Sequence, residues 1–436
     1  MASETMVTIS RQSLQPTSNS SATITDVKHL ASYSWIEAPI PTIAVPGVPP
    51  RWSPPKQTRT LPKDSGLIYI AQNAARHPLS PLEPLFRALY ITNPKFDVRS
   101  VDVVTDRNNI RKLFTFIDPS SSRYGLESFT INVEATEGTV IFSRDETATQ
   151  EVIRPHEFRG FGHEFEKAYT TCELSDSTGH HGISSYRFGG LSFIVRYEAD
   201  AYVEEGHSGM ISHRQKSDPD ALTDLLGSFS LSPSVSPAKA TKIAGSQMAI
   251  RKQGRMVPLE SILEIKTRAA SKRISLSDVA LQLWVSQTPK LVRAHHYRGA
   301  FEQPVIEDVT DKIRDWEREK QASLRKLVTL IRKVISVVKG FDGGKGVIKY
   351  DRASDTLTIT KADRTPMLPN DLYSKWDEKR DLVVDESIVI LHIFSVNYLS
   401  RAKDLPIMPA QIAPVYLKPY SFCHYNPTKR RATFEL

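Results

Sequence analysis

The sequence predicts an α/β (α+β) protein that combines β-strands with helices, and three observations predict it. Alternating apolar and polar residues over 185–203 are typical of a strand. Apolar residues at helical spacing over 305–338 indicate a long amphipathic helix. Hydrophobic residues make up 40% of the 436 residues and charged residues 24%, so the chain has enough apolar material for a large core.

The other elements are predicted from local composition and spacing. Residues 1–25 are polar and rich in Ser and Thr, which predicts a disordered N-terminal tail. Prolines crowd residues 39–62, which predicts an extended segment that crosses the surface. The elements expected after it, in chain order, are a helix over 81–90, a helix from Arg107 through Phe114, strands over 128–134 and 139–143, a helix from His163, the strand over 185–203, a helix over 276–286, the helix over 305–338 and a hairpin over 346–360. We expect a single domain over 26–400 with a mobile insertion at about 213–246, followed by a C-terminal extension over 401–436.

Composition also limits the classes of function. Cys172 and Cys423 are too few for a disulfide framework or a cysteine zinc cluster. No stretch has the apolar length of a signal peptide or a membrane span, so we expect no membrane partner and a location in the nucleus or cytoplasm. The formal charge of +8 favours a polyanionic partner. The histidine pairs at 180–181 and 295–296 are expected to have structural or surface roles rather than to bind a metal together, because adjacent residues on a strand point to opposite faces.

The strongest chemical signal is a pair of strand-like stretches that carry charges two residues apart. Glu198 and Asp200 share one face of the first stretch, and Glu264 and Lys266 share one face of the second. If these strands lie side by side, three carboxylates and a lysine meet at one point. Burying that cluster without a cation would cost several kcal/mol, whereas a bound divalent metal would remove the cost. The alternative is that each short motif lies on the exposed face of a half-buried strand.

A helix carboxylate, Glu166, extends this cluster. Mg²⁺ or Mn²⁺ takes about six oxygen ligands, which carboxylates, a carbonyl and waters can supply. The expected metal ligands are Glu166, Asp200, Glu264 and the carbonyl of Ile265. Glu198 is expected beside them as a ligand or water-binding group, and Lys266 as the ammonium that orients the attacking water.

The order of these residues resembles a known family. A helix glutamate, then Glu198-Ala199-Asp200, then Glu264-Ile265-Lys266 is the arrangement of the PD-(D/E)XK nuclease superfamily, and in particular of the DXO-type decapping exoribonucleases. Four further stretches also resemble this family: 102–113, which contains Arg107, 162–166, in which His163 replaces an apolar residue, 137–143 and 31–34.

The resemblance implies a mixed, twisted β-sheet flanked by helices, with a PD-(D/E)XK nuclease-like core. It implies substrate phosphate binding by Arg107 and by Gln287, which follows Trp284 at the end of the helix over 276–286. The implied activity is metal-dependent hydrolysis of phosphodiester or pyrophosphate bonds at RNA 5′ ends or nucleotide-capped RNA, with Mg²⁺ or Mn²⁺ as cofactor. In such a site, E264Q is expected to abolish turnover and to leave the thermal melt unchanged or raised, because it removes one charge from a repulsive cluster.

Two other interpretations stay open. The same fold without catalysis would serve as a binding module for RNA ends or for a protein partner. The chain also resembles fungal proteins labelled geranylgeranyl pyrophosphate synthase. That label has no support in the sequence, because no Asp-Asp-x-x-Asp motif occurs to hold a magnesium diphosphate.

Overall fold

The structure is a computed structural model that describes residues 6–16, 21–123, 125–154, 156–204 and 240–377. These residues lie within one compact unit, Met1–Glu378. Most of the expected insertion, residues 213–239, and the expected extension over 401–436 lie outside the described residues, as does the expected domain end at residue 400. Among the described residues of the expected insertion, 241–242 form a short strand.

The helices and strands have the following bounds. The strands are β1 (Met6–Ile9), β2 (Ile24–Ile36), β3 (Thr42–Gly47), β4 (Arg51–Trp52), β5 (Gly66–Tyr69), β6 (Val103–Asp106), β7 (Phe129–Thr136), β8 (Thr139–Asp145), β9 (Gln150–Ile153), β10 (Thr170–Thr171), β11 (Ser177–Phe188), β12 (Leu191–Glu198), β13 (Ala201–Tyr202), β14 (Thr241–Lys242), β15 (Ala249–Gly254), β16 (Ile262–Ala269), β17 (Lys290–Tyr297), β18 (Ala300–Phe301), β19 (Ile306–Asp308), β20 (Lys345–Asp351) and β21 (Thr356–Lys361). The α-helices are α1 (Gln72–Arg76), α2 (Glu83–Thr92), α3 (Arg107–Ile117), α4 (Gly162–Tyr169), α5 (Ala280–Ser286), α6 (Thr310–Glu319), α7 (Gln321–Lys339) and α8 (Asn370–Asp377).

Most strands join one large mixed sheet. Its order in the described residues is β1-β21-β20-β7-β8-β6-β12-β11-β2-β3-β15-β14. Neighbours are mostly antiparallel, but β6 runs parallel to both β8 and β12, and β15 runs parallel to β3. The predicted class, a mixed α+β protein with large sheets flanked by helices, is confirmed.

A second sheet has the order β10-β4-β13-β16-β17-β18, and β19 also pairs with β17. Its two longest strands, β16 and β17, are parallel, with Glu264 opposite Leu291. Strands β5 and β9 form a separate two-stranded ribbon. This second sheet is small, but its strand β16 carries Glu264, Ile265 and Lys266.

Helices cover both faces of the main sheet. Side chains from α3, α5, α6 and α7 share one apolar cluster with β7, β20 and β21. Side chains from α2 and α8 share a second cluster with β2 and β3. A third cluster joins α4 to β16 and β17, so α4 is fixed against the second sheet. No helix within the described residues has the length and apolar character needed to cross a membrane.

Two expectations for the N-terminal part are wrong. Within the predicted disordered tail, Met6–Ile9 pairs with Leu357–Thr360 as the edge strand β1. Ile9 is fully buried, because its partner strand supplies an apolar surface from the far end of the sequence. The proline-rich segment is extended, as predicted, but β3 within it is largely buried between β2 and β15.

Two predicted elements are each divided in the structure. The strand over 185–203 is a hairpin of β11 and β12, because Gly189 and Gly190 both adopt positive φ and turn the chain. The helix over 305–338 is α6 and α7, which separate at Lys320, and its first residues form β19. Lys320 Nζ lies 2.9 Å from Asp118 Oδ2, so the residue at the break is paired with the end of α3.

Candidate active site

The candidate site lies where the chain passes from the main sheet to the second sheet. Strand β12 ends at Glu198, and a two-residue link leads to β13. In β13, Ala201 pairs antiparallel with Leu263, the residue before Glu264. The crossing therefore brings Asp200 beside Glu264, close enough for their charges to interact. The two acidic stretches meet as predicted, although Glu198 belongs to the main sheet and Asp200 to the link.

Glu264 is the shared partner of three polar side chains. Its side chain is 2% exposed, and it accepts hydrogen bonds at one oxygen from Lys266 Nζ and Gln282 Nε2. Arg107 Nη1 lies 3.2 Å from the other oxygen. Lys266 lies on β16, Arg107 begins α3 and Gln282 lies in α5. One strand and two helices therefore converge on a single buried carboxylate.

The carboxylates of this site differ in their affinity for protons. Burial raises the pKa of Glu264, but the positive charges of Lys266 and Arg107 outweigh burial and hold that pKa at about 2. Burial, together with the negative charge of Glu264, raises the pKa of Asp200 to about 7. Burial and the charge of Asp200 raise the pKa of Glu166 well above its ordinary value. The site thus has one firmly ionised carboxylate and two that retain protons near neutral pH.

The positions of Asp200 and Glu166 are fixed by backbone contacts. Asp200 Oδ2 accepts a hydrogen bond of 2.8 Å from the backbone N–H of Ile265, so the link is fixed on β16. Helix α4, which carries Glu166, is capped from outside by Asp64. Asp64 accepts hydrogen bonds from the backbone N–H groups of Gly162 at 2.8 Å and Glu164 at 3.0 Å. The aromatic rings of α4 then pack on the second sheet, which orients Glu166 toward the cluster.

His163 stands where the family pattern has an apolar residue. Its Nδ1 lies 3.7 Å from Asp64 Oδ2, and half of its side chain is exposed. This contact with the carboxylate of Asp64 raises the pKa of His163. The polar residue at this position in the motif therefore has a local partner at the start of α4.

The structure does not bring every predicted residue into the site. Gln287 follows the last residue of α5 in a left-handed conformation, with φ of 55°, and its Nε2 donates to the carbonyl of Trp284 at 2.5 Å rather than to the carboxylate cluster. Gln282, five residues earlier and two before Trp284, donates to Glu264 instead. The signal missed in the sequence is helical phase, since residues five positions apart on an α-helix lie about 140° apart around its axis and do not share a face.

The residues fit a hard divalent cation in donor type but do not form a closed site. Carboxylate oxygens of Glu166, Asp200 and Glu264, with the carbonyl of Ile265, are the donors that Mg²⁺ and Mn²⁺ prefer. Burial and the neighbouring negative charges raise the pKa values of Asp200 and Glu166, and a bound cation would favour their ionised forms. Across the described residues, however, no three His, Cys, Asp or Glu side chains are grouped closely enough to hold a metal ion. Glu264 is instead engaged by Lys266 and Gln282.

Comparison with protein families gives two matches. The model of the domain of unknown function DUF8563 matches residues 3–374, which is most of the chain. The model of the copper amine oxidase enzyme domain matches residues 347–433, most of which lie outside the described residues. Comparison with curated proteins yields no match.

Comparison with solved structures identifies the fold. Rai1 of Scheffersomyces stipitis in complex with (3′-NADP)⁺ and calcium ion has a TM-score of 0.53 at 12% identity, covering 86% of this chain and 99% of that one. Rai1 of Candida albicans in complex with pU5-Mn²⁺ has a TM-score of 0.52 at 12% identity, with the same coverage. Rai1 of S. pombe in complex with 3′-FADP has a TM-score of 0.51 at 13% identity, covering 82% of this chain and all of that one. The fold of the decapping exonucleases that the motifs resemble is therefore confirmed.

Proposed function

Because this chain belongs to the DUF8563 family of domains of unknown function and has the Rai1 fold, we propose that it hydrolyses phosphodiester or pyrophosphate bonds at RNA 5′ ends. The main support is the convergence of Lys266, Arg107 and Gln282 on the buried carboxylate of Glu264, beside Asp200 and Glu166. An ion pair of this kind at the meeting point of two sheets is typical of a functional site rather than of a core.

The chain's own residues have separate roles in this reaction. Arg107 neutralises charge on a substrate phosphate, because a guanidinium can bind Glu264 and a phosphate oxygen through different N–H groups. Lys266 is about one third exposed, so its ammonium contacts Glu264 and also reaches solvent in the cleft, where it can orient a water. Gln282 holds the carboxylate of Glu264 in one orientation. Glu198, which is exposed, accepts hydrogen bonds from water or substrate.

The proposal includes a divalent cation, Mg²⁺ or Mn²⁺, held by Glu166, Asp200, Glu264 and the carbonyl of Ile265. When bound, such an ion would polarise a phosphoryl oxygen and lower the pKa of a bound water. The Candida albicans Rai1 structure with pU5-Mn²⁺ supports a divalent ion in this fold. Deprotonation of Asp200 and Glu166 accompanies binding, so cation affinity rises with pH toward and above about 7.

A second function, a non-catalytic module that binds RNA ends or a protein partner, has one observation in its favour. Glu264 already has a lysine, an arginine and a glutamine as partners, and the described residues contain no closed metal-binding group. An ion-paired Glu264 stabilises the fold without any chemistry. The two functions differ in one outcome, which is product formation.

The test is incubation of the full chain with RNA carrying a labelled 5′ monophosphate or a 5′ cap, with Mn²⁺ or Mg²⁺ and with chelator. We expect metal-dependent shortening of the RNA or release of the cap. The variant K266M should slow product formation by at least about a hundredfold, on the scale of losing one transition-state contact. Intact RNA after incubation with folded, cation-saturated protein would favour the binding module.

A further inference from the structure

A cavity of about 250 Å³ lies beside the carboxylate cluster, between α1, the start of α3 and the end of β12. It is smaller than most pockets for whole ligands, which measure roughly 300–1,000 Å³. Its lining is unusually basic. The arginines that line it are Arg107, Arg111, Arg144 and Arg196, and the carboxyl groups that line it are Asp106 and Glu198.

Three of these arginines have a carboxylate partner. Arg196 is fully buried and binds both oxygens of Asp106, at 2.7 and 3.0 Å. Arg107 pairs with Glu264 at 3.2 Å, and Arg144 with Glu146, outside the cavity, at 2.6 Å. The charge of each of these three arginines is therefore balanced by a carboxylate, and the charge of Asp106 is balanced by Arg196.

Arg111 differs from the other three. Within the part of the chain that the structure describes, its guanidinium makes no hydrogen bond or ion pair. It lies one helical turn after Arg107 on α3, where two like charges repel each other. Burial, with the positive charges of Arg107 and Arg144, lowers the pKa of Arg111 to about 10. A partly buried guanidinium with this surplus of positive charge is unfavourable unless an anion binds to it.

The start of α3 adds to this surplus. Asp106 stands at the N-cap position, but its side chain makes no capping bond and pairs with Arg196 instead. The first N–H groups of α3 therefore keep their partial positive charge beside the cavity, which Asn108 also lines.

We propose that this cavity is a phosphate subsite in which Arg111, with Arg107 and Arg144 beside it, binds a phosphate group next to the one at the carboxylate cluster. The ligand class is a pyrophosphate, either free or as the linked phosphates of an RNA 5′ end. The RNA part of this inference rests on the proposed function, whereas binding of inorganic pyrophosphate does not. Arg111 is a specificity residue: it distinguishes ends with linked phosphates from ends with one phosphate or none.

The first experiment measures binding of inorganic pyrophosphate to the full chain by calorimetry at about 0.15 M salt, where long-range charge effects are screened. The variant R111Q should bind at least about tenfold more weakly, as expected for losing a charge-assisted contact. R111K keeps the charge but not the forked donors, so its affinity for pyrophosphate should lie between those of wild type and R111Q. The control R123Q removes an exposed arginine outside the cavity and should change affinity less than about twofold.

The variant R111Q should fold, because it removes a repelled charge that has no described partner. We expect its melting temperature to equal that of the wild type or to be higher. If R111Q does not fold, the comparison between R111K and wild type decides the matter. The proposal is overturned if wild type binds no pyrophosphate, or if R111Q or R111K in folded form binds it as tightly as wild type.

A second experiment separates the two sources of the ligand. RNA with a 5′ triphosphate, monophosphate or hydroxyl is titrated in calcium-containing buffer, and wild type should prefer the triphosphate whereas R111Q should not. Lack of cleavage with intact pyrophosphate binding would contradict the proposed function alone. Cleavage that is insensitive to R111Q and to the number of phosphates would contradict the subsite alone.

Discussion

Glu264 and Asp200 are neighbours in space, but they contribute oppositely to stability. Glu264 is ionised and compensates Lys266 and Arg107, whereas Asp200 is held near a charge of the same sign. This reverses the expectation for E264Q from the sequence, which treated every carboxylate as part of one repulsive cluster. The difference could not be predicted from the sequence, because it depends on the position of Arg107, 157 residues away along the chain.

We therefore expect E264Q to destabilise the fold and D200N to stabilise it. E264Q leaves Lys266 and Arg107 without their buried counter-ion, at a cost of about 1–3 kcal/mol after allowance for the partial exposure of Lys266. D200N removes a disfavoured charge and keeps an oxygen for the backbone N–H of Ile265. Urea unfolding at pH 8 measures the free energy of unfolding of both variants. E319Q, on the exposed part of α6, is the control.

The pH dependence of D200N follows from the raised pKa of Asp200. The folded protein holds this proton more tightly than the unfolded chain, so its contribution to stability falls as pH rises from about 4 to about 7. D200N removes that fall. Its advantage over wild type should be larger at pH 8 than at pH 5, and an equal or smaller advantage at pH 8 would contradict the assignment.

The two glutamines of α5 offer a matched comparison within one helix. Q282L removes the hydrogen bond to Glu264, and Q287L removes only a local bond to the carbonyl of Trp284. We expect Q282L to slow RNA cleavage by at least about tenfold and Q287L by less than about twofold. Equal losses would indicate that α5 acts through its packing alone.

Gln287 was predicted from its spacing to Trp284, which does not reveal which face of the helix meets β16.

Among the elements, β11 carries the first histidine pair, and both residues are buried. His180 Nδ1 lies 2.9 Å from Ser34 Oγ, and burial lowers the pKa of His180 to about 3. Burial also lowers the pKa of His181 well below its usual value. These buried positions agree with the expected structural role, and β12 and β2 pair with the two edges of β11 around these histidines.

These histidines should make the protein sensitive to acid. Their folded pKa values lie below the unfolded value of 6.5, so the unfolded chain takes up protons first and stability falls as pH drops below about 6.5. Each fully buried histidine contributes a slope of about 1.4 kcal/mol per pH unit. H180N should reduce the slope of unfolding free energy against pH between about 6.5 and 5. H295N, at a residue that is only partly buried, should leave the slope unchanged.

Elements with strong local signals were predicted well. Helix α3, strands β7 and β8 and the hairpin of β20 and β21 lie close to their predicted ranges. Their patterns are local, and the turn residues that bound them are visible in the sequence. The break at Lys320 was missed, because apolar spacing continues through it, and the partner of Lys320 is Asp118 on another helix.

At the scale of the whole molecule, the sequence indicated the class of fold but not the N-terminal strand at the edge of the main sheet. Strand β1 is only four residues long and pairs with β21 about 350 residues later. Arg11, just after it, lies over the ring of Phe116 at 4.7 Å and pairs with Asp355. Such long-range pairing leaves no periodic signal in a polar segment, which is why composition alone predicted disorder.

The N-terminal strand should therefore contribute measurably to global stability. I9T places a hydroxyl at a fully buried position and should lower the unfolding free energy by about 2–3 kcal/mol. M6T, on the same strand at a position that is 61% exposed, should change it by less than about 0.5 kcal/mol. Chemical denaturation of both variants checks this. If I9T and M6T lowered the unfolding free energy by the same small amount, the pairing of β1 with β21 would be contradicted.

The proposed hydrolysis of RNA 5′ ends depends on the cluster around Glu264. Its most direct test is single-turnover cleavage of 5′-phosphorylated RNA with Mn²⁺, comparing wild type with D200N, which should be the more stable of the two. We expect wild type to form product and folded D200N to be slower by at least about a hundredfold. Product formation by D200N at the wild-type rate, or none by folded wild type, would contradict the claim.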